Sequence, residues 1–164
     1  MSRTSTLSQP SAPRPVPAGQ APPAVLAAMS LWLFAVAAGA FEAVLIVTES
    51  LSSGTAFGEL LPQIAFRLGV FAAAVLLALR LRAGRNWARL TLAVGLGIFG
   101  TLSLVVEPVR WLLDGGSIGA AVAAWGPMDF VFAGSRTLHL LAVLGAVTLM
   151  FQPRANAFFR GRSA

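Results

Sequence analysis

Apolar residues run along this chain in four long stretches separated by short polar breaks. The first is Ala24 to Val47, AVLAAMSLWLFAVAAGAFEAVLIV, interrupted once by Glu42. The second runs from Leu60 to Leu81, with Arg67 inside it and Arg80 near its end. The third, Leu90 to Leu113, is broken late by Glu107, Pro108 and Arg110, and the fourth, Phe130 to Phe151, carries Arg136 and His139. Each is close to the ~20 residues a helix needs to cross a hydrocarbon core. In that core no water is present to bond stray backbone groups, so such a run satisfies its own N–H and C=O groups only as a helix. The pattern predicts an all-α integral membrane fold, a four-transmembrane-helix bundle with spans over 24–47, 60–81, 90–113 and 130–151. The second span has the shortest uncharged stretch, and crosses only if Arg67 lies in the outer half of the bilayer or snorkels to its edge.

The flanks read differently. Residues 1–23 hold six of the ten prolines with Ser, Thr, Ala and Gln between them. This composition predicts a disordered cytoplasmic tail. Its apolar run starts too late and is too long for a signal peptide. Residues 152–164 read as a basic cytoplasmic tail.

Composition agrees with lipid as the solvent. Only 11% of the 164 residues are charged and 57% are hydrophobic, with mean hydropathy +0.78, against roughly 25% charged in a soluble domain. The net charge is +6 and all 12 basic residues are Arg. Most of them flank the apolar runs instead of forming one stripe, which argues against nucleic acid as a partner and for the positive-inside rule. Arg3 and Arg14, the group Arg80, Arg82, Arg85 and Arg89, and the group Arg154, Arg160 and Arg162 must then share one side. The intervening loops carry Glu49, Glu59, Asp114 and Asp129 and no Arg. The expectation is a multi-pass plasma-membrane protein with both termini cytoplasmic. The chain has no Cys, which removes disulfides, thiolate metal sites and thiol catalysis.

Six charged or titratable residues lie within the apolar runs: Glu42, Arg67, Glu107, Arg110, Arg136 and His139. If helix one ends at Val47 and helix two begins near Leu61, Glu42 and Arg67 sit level, each roughly 8–9 Å below the outer surface at ~1.5 Å per residue. This predicts a Glu42–Arg67 bridge across the first hairpin and, by the same reasoning, Glu107–Arg136 across the second, with Arg110 one turn from Glu107 as a competitor. Such pairing offsets part of the ~2.5–3.5 kcal/mol cost of a charge near mid-membrane. The favoured reading is a collar of ion pairs fixing helix register. The alternative is an outward polar pocket for an ion, a proton or a lipid headgroup. His139 is the single His; it shares a helix face with Arg136, and alone it makes no metal site. No cofactor is expected.

Gly95, Gly97 and Gly100 in GLGIFG match G-x-G-x-x-G, yet the motif needs a preceding strand and a helix opening after it. Inside an apolar run it is a packing feature. Ala93, Gly97 and Thr101 form one small-residue ridge, and Ala35, Gly39 and Ala43 another. These faces suit close helix contacts, within the bundle, with a protein partner, or in a homo-oligomer.

The two hairpins also resemble each other. Arg67 and Arg85 are 18 residues apart, as are Arg136 and Arg154, and the second member of each pair opens RNWAR or RANAFFR. Duplication of a hairpin would account for this, and so would the shared demands of apolar hairpins with basic flanks.

The segments LWLFAVAAGAFEAVLIV, RAGRNWARLTLAVGLGIFGTLSLVV and FQPRANAFFR resemble small four-span membrane proteins of actinobacteria. The resemblance covers most of residues 24–160. It implies a plasma-membrane location and four helices, and assigns no activity and no site residue. With no G-x-S-x-G, HExxH or P-loop present, the expectation is a non-enzymatic accessory or assembly component of the cell envelope, in contact with membrane lipids. The alternative is a small transporter, channel or sensor using the outer-half charges.

Overall fold

The computed structural model describes residues 20–161; the expectation of a disordered tail over 1–23 falls almost wholly outside them. Six helices follow in order: α1 (Pro23–Ser52) and α2 (Phe57–Arg82), α3 (Asn86–Leu113), α4 (Ile118–Ala124), α5 (Pro127–Met150) and α6 (Pro153–Arg160). No strand occurs among the described residues. α1, α2, α3 and α5 are each long and apolar enough to cross a membrane. All four are longer than the apolar runs suggest, because flanking residues, 48–52 in α1 and 86–89 in α3 among them, prolong the helix once it is nucleated. The segment read as a basic tail is helical over Pro153–Arg160, and its Ala155 and Phe159 are buried.

The turns are set by glycine. Gly54, Gly84 and Gly115 have φ of 94°, 77° and 91°, the left-handed region that side chains other than glycine rarely adopt. Each stands just past the end of a long helix and reverses the chain.

α1 is the centre of the assembly, packing along α5 and α2. Its buried residues are Val25, Ala28, Trp32, Ala35, Gly39 and Glu42, alternately three and four apart. That is a heptad seam, the spacing that keeps one face of a helix against a partner. The facing seam of α5 is Ala142, Val143, Ala146 and Met150, and Trp32 Nε1 donates to Met150 Sδ at 3.4 Å. The core is concentrated at the arginine-rich end, where Val25, Leu81, Leu92, Met150 and Phe159 are nearly or wholly inaccessible. At the acidic end the bundle opens. No residue of α3 between Thr101 and Leu113 is buried.

α3 is not a uniform α-helix. Between Leu92 and Gly100 it winds as a π-helix, and from Thr101 onward it returns to α. Three glycines in this segment remove the side chains that would hold the tighter winding.

Both small-residue ridges face inward. A Cβ at Gly97 would lie 3.0 Å from Val147 Cγ2, and one at Gly39 would lie 3.2 Å from Phe71 Cε1 and 3.3 Å from His139 Cε1. Gly39→Ala therefore forces two aromatic rings to give way, and the expected cost is about 1–3 kcal/mol. Gly69→Ala on the same bundle meets nothing within 4 Å and should gain up to ~1 kcal/mol from helix propensity. Thermal melts of the two variants in detergent check the contrast; equal melting points would mean that Gly39 is not at a close approach.

Candidate functional site

Glu42 closes the α1 seam. Being three residues beyond Gly39, it points at α5, and its side chain is only 4% exposed. Three α5 groups surround it. Arg136 Nε lies 3.8 Å from Oε2, His139 Nδ1 lies 3.7 Å from Oε1, and the Ser135 hydroxyl donates to Oε1 at 3.4 Å. Ser135, Arg136 and His139 are within one turn of each other, so a single helix face supplies all three partners. Arg136 also lies 5.4 Å from the centroid of the Phe132 ring. The contacts from nitrogen are ion-pair distances beyond hydrogen-bond length, and Arg136 Nε and His139 Nδ1 have no hydrogen-bond partner.

This arrangement overturns the expected hairpin pairs. Glu42 is bridged to Arg136 and His139 of the last long helix, not to Arg67. The longer helices place Glu42 about 15 Å from the end of α1 and Arg136 about 14 Å from the start of α5 at ~1.5 Å per residue, so the two are level. Arg67 is level as well, which shows that depth alone does not choose a partner; the heptad phase of α1 does. Arg67 lies on the other flank of α1, beside Ala43, Val47 and Thr48 in a groove of about 290 Å³, and forms no ion pair among the described residues. Glu107 pairs with Arg110 at 3.8 Å, not with Arg136. Those side chains are 81% and 72% exposed, because α3 buries no residue against the bundle between Thr101 and Leu113. The likeness of the two hairpins thus does not extend to their charges.

A cavity of about 160 Å³ adjoins the Glu42 centre. Trp32, Phe71, Leu96, Thr101, His139 and Val143 are among its walls, so all four long helices contribute. It is apolar except for His139 and the hydroxyls of Thr101 and Ser103. No group of three or more His, Cys, Asp or Glu able to hold a metal occurs among the described residues.

A second polar centre, which sequence reasoning passed over, lies at the arginine-rich end. Arg89 is 7% exposed. Its guanidinium lies over the rings of Phe151 and Phe159, 4.1 and 4.9 Å from their centroids, and donates to Asn156 Oδ1 and, at 3.5 Å, to Asn86 Oδ1. Asn156 in turn donates to the Phe151 carbonyl at 2.9 Å. Arg89 thus ties the start of α3 to α6. Counting flank arginines for orientation treats Arg80, Arg82, Arg85 and Arg89 alike. The distinguishing signal is that RNWAR and RANAFFR, alike in sequence, meet here: one Asn from each faces the same Arg89.

No family model, no curated protein and no solved structure matches this chain.

Proposed function

We propose that the chain is an integral protein of the plasma membrane, crossed by α1, α2, α3 and α5, with both ends in the cytoplasm. In it the protein serves as a non-enzymatic accessory or assembly subunit of the cell envelope. Four long apolar helices whose surface carries Phe66, Phe99, Leu113 and many other exposed apolar side chains support the insertion. Segregation of arginine to one end and acid to the other supports the orientation.

The observation that carries the subunit role is the outer half of α3. Ser103, Glu107, Arg110 and Asp114 are spaced four, three and four residues apart, so they form one polar stripe along it. Glu107 and Arg110 are both largely uncovered by the chain itself. A polar stripe on a membrane helix is stabilised by a neighbouring helix that supplies polar groups and excludes lipid. A partner helix seated against this stripe meets that need.

Affinity purification of the full chain in mild detergent tests the proposal. A stoichiometric partner is expected, lost when Glu107→Leu and Arg110→Leu are combined while the melting temperature holds. A chain that runs alone at native expression level would contradict the subunit role. The buried Glu42–Arg136–His139 centre beside a cavity favours a second reading, a small transporter, channel or sensor. It predicts proteoliposome flux that Glu42→Gln abolishes.

A further inference from the structure

The cavity between the four long helices has a chemistry that the Glu42 centre does not use. Five threonines stand in helices, and four of them satisfy their hydroxyl in the usual way, by donating to the carbonyl four residues back. Thr48 bonds Val44, Thr91 bonds Trp87, Thr137 bonds Ala133 and Thr148 bonds Leu144, all at 2.8–2.9 Å. Thr101 is the exception. It follows directly on the π-wound segment, and its Oγ1 is buried with no hydrogen-bond partner at the cavity wall. Across the same cavity stands His139, whose ring forms part of the wall while its Nδ1 is turned to Glu42 Oε1 at 3.7 Å. Of the polar groups in the wall, Ser103 already donates to the Gly100 carbonyl and His139 is engaged by Glu42, which leaves the Thr101 hydroxyl as the unpartnered one. A buried hydroxyl left unsatisfied is destabilising, and a ligand oxygen there removes that cost.

Size narrows the ligand. A cavity of about 160 Å³ is close to the engineered ~150 Å³ apolar cavity that takes up benzene. It has room for one six-membered ring. The ring would stack against Trp32 and Phe71 and present an oxygen to Thr101. We infer that this cavity binds a lipid-soluble six-membered ring bearing oxygen, of the quinone or quinol type, with the Thr101 hydroxyl as hydrogen-bond donor. The inference rests on the membrane reading only for the supply of such a molecule.

Trp32 in the wall gives a direct readout, since a bound quinone quenches an adjacent indole. Tetramethylbenzoquinone is a suitable probe: it fits one ring, and the chain has neither Cys nor Lys to react with it. Titrated into the full-length protein in nanodiscs, it should quench part of the fluorescence saturably, and Trp32→Phe should remove that part. Thr101→Val keeps the shape and deletes the donor, so it should weaken binding about tenfold, the equivalent of one hydrogen bond. Ala74→Leu, which fills the cavity from α2, should abolish saturation. Tetramethylbenzene, with the same ring and no oxygen, should compete poorly. Should Ala74→Leu fail to fold, Thr101→Val and the hydrocarbon competitor still decide. Strictly linear quenching, binding unchanged in Thr101→Val, or equal competition by the hydrocarbon would each overturn the inference. None of these outcomes depends on whether a protein partner is found.

Discussion

Glu42→Gln should lower the stability of the detergent-solubilised protein by about 1–3 kcal/mol, and Arg136→Gln by less. Removing one member of a well-buried ion pair costs about 3–5 kcal/mol, because the other charge is left without compensation. Two features reduce the figure here. The Arg136 side chain is 35% exposed and long enough to tilt its guanidinium toward the membrane edge once the carboxylate is lost, and both nitrogen contacts of Glu42 are longer than hydrogen bonds. Glutamine keeps the volume and can still accept from Ser135. The informative quantity is the coupling. Glu42→Gln combined with Arg136→Gln should be milder than the sum of the single variants by about 1 kcal/mol or more, as for residues in contact. Glu42→Gln combined with Arg67→Gln should be additive within ~0.5 kcal/mol, because Arg67 lies on the other flank of α1. Coupling to Arg67 and none to Arg136 would reverse the assignment.

Arg89→Ala should be at least as damaging, at about 2–4 kcal/mol. A desolvated cation over an aromatic face contributes ~0.5–2 kcal/mol, and Arg89 has two such faces. Its hydrogen bonds to the two asparagine side chains contribute further. Arg89→Lys should recover less than half of the loss. An ammonium is a point charge and cannot lie flat between two rings while reaching both amides, as the planar guanidinium does. Besides a lower melting temperature, trypsin should cut faster after Arg154 and Arg160 in both variants, since α6 is released from the bundle. Cutting at the wild-type rate in a variant with a lowered melting point would mean that Arg89 stabilises α3 without holding α6.

The large features of this fold are written plainly in the chain, because lipid-length apolar runs leave a backbone little choice but a helix. The four long helices follow from that, and their turns from Gly54, Gly84 and Gly115 between the runs. Pairing of the charges is finer, and turns on helix phase. Ala35, Gly39 and Ala43 read as a ridge at a spacing of four, whereas the buried seam continues from Gly39 to Glu42 at a spacing of three. That single step turns Glu42 from a neighbour of α2 into a neighbour of α5. The opening of α3 beyond Thr101 left no mark beyond Pro108 and the glycines near Gly97, since a change from α to π winding depends on what the facing helices fill. The burial of Arg89 was hidden for another reason. Orientation rules weigh arginines by their number at a membrane edge, and one that turns inward counts the same as one that stays in water.

The membrane topology is the claim on which the rest depends, and the absence of Cys makes it directly measurable. Single variants Ser53→Cys and Ser117→Cys mark the acidic end, and Ala83→Cys and Gly161→Cys the arginine-rich end. Each is treated in intact cells with a membrane-impermeant maleimide. The account predicts labelling of Ser53→Cys and Ser117→Cys in intact cells, and of Ala83→Cys and Gly161→Cys only after the membrane is permeabilised. Protection of Ser117→Cys, or labelling of Gly161→Cys in intact cells, would contradict four crossings with both ends in the cytoplasm.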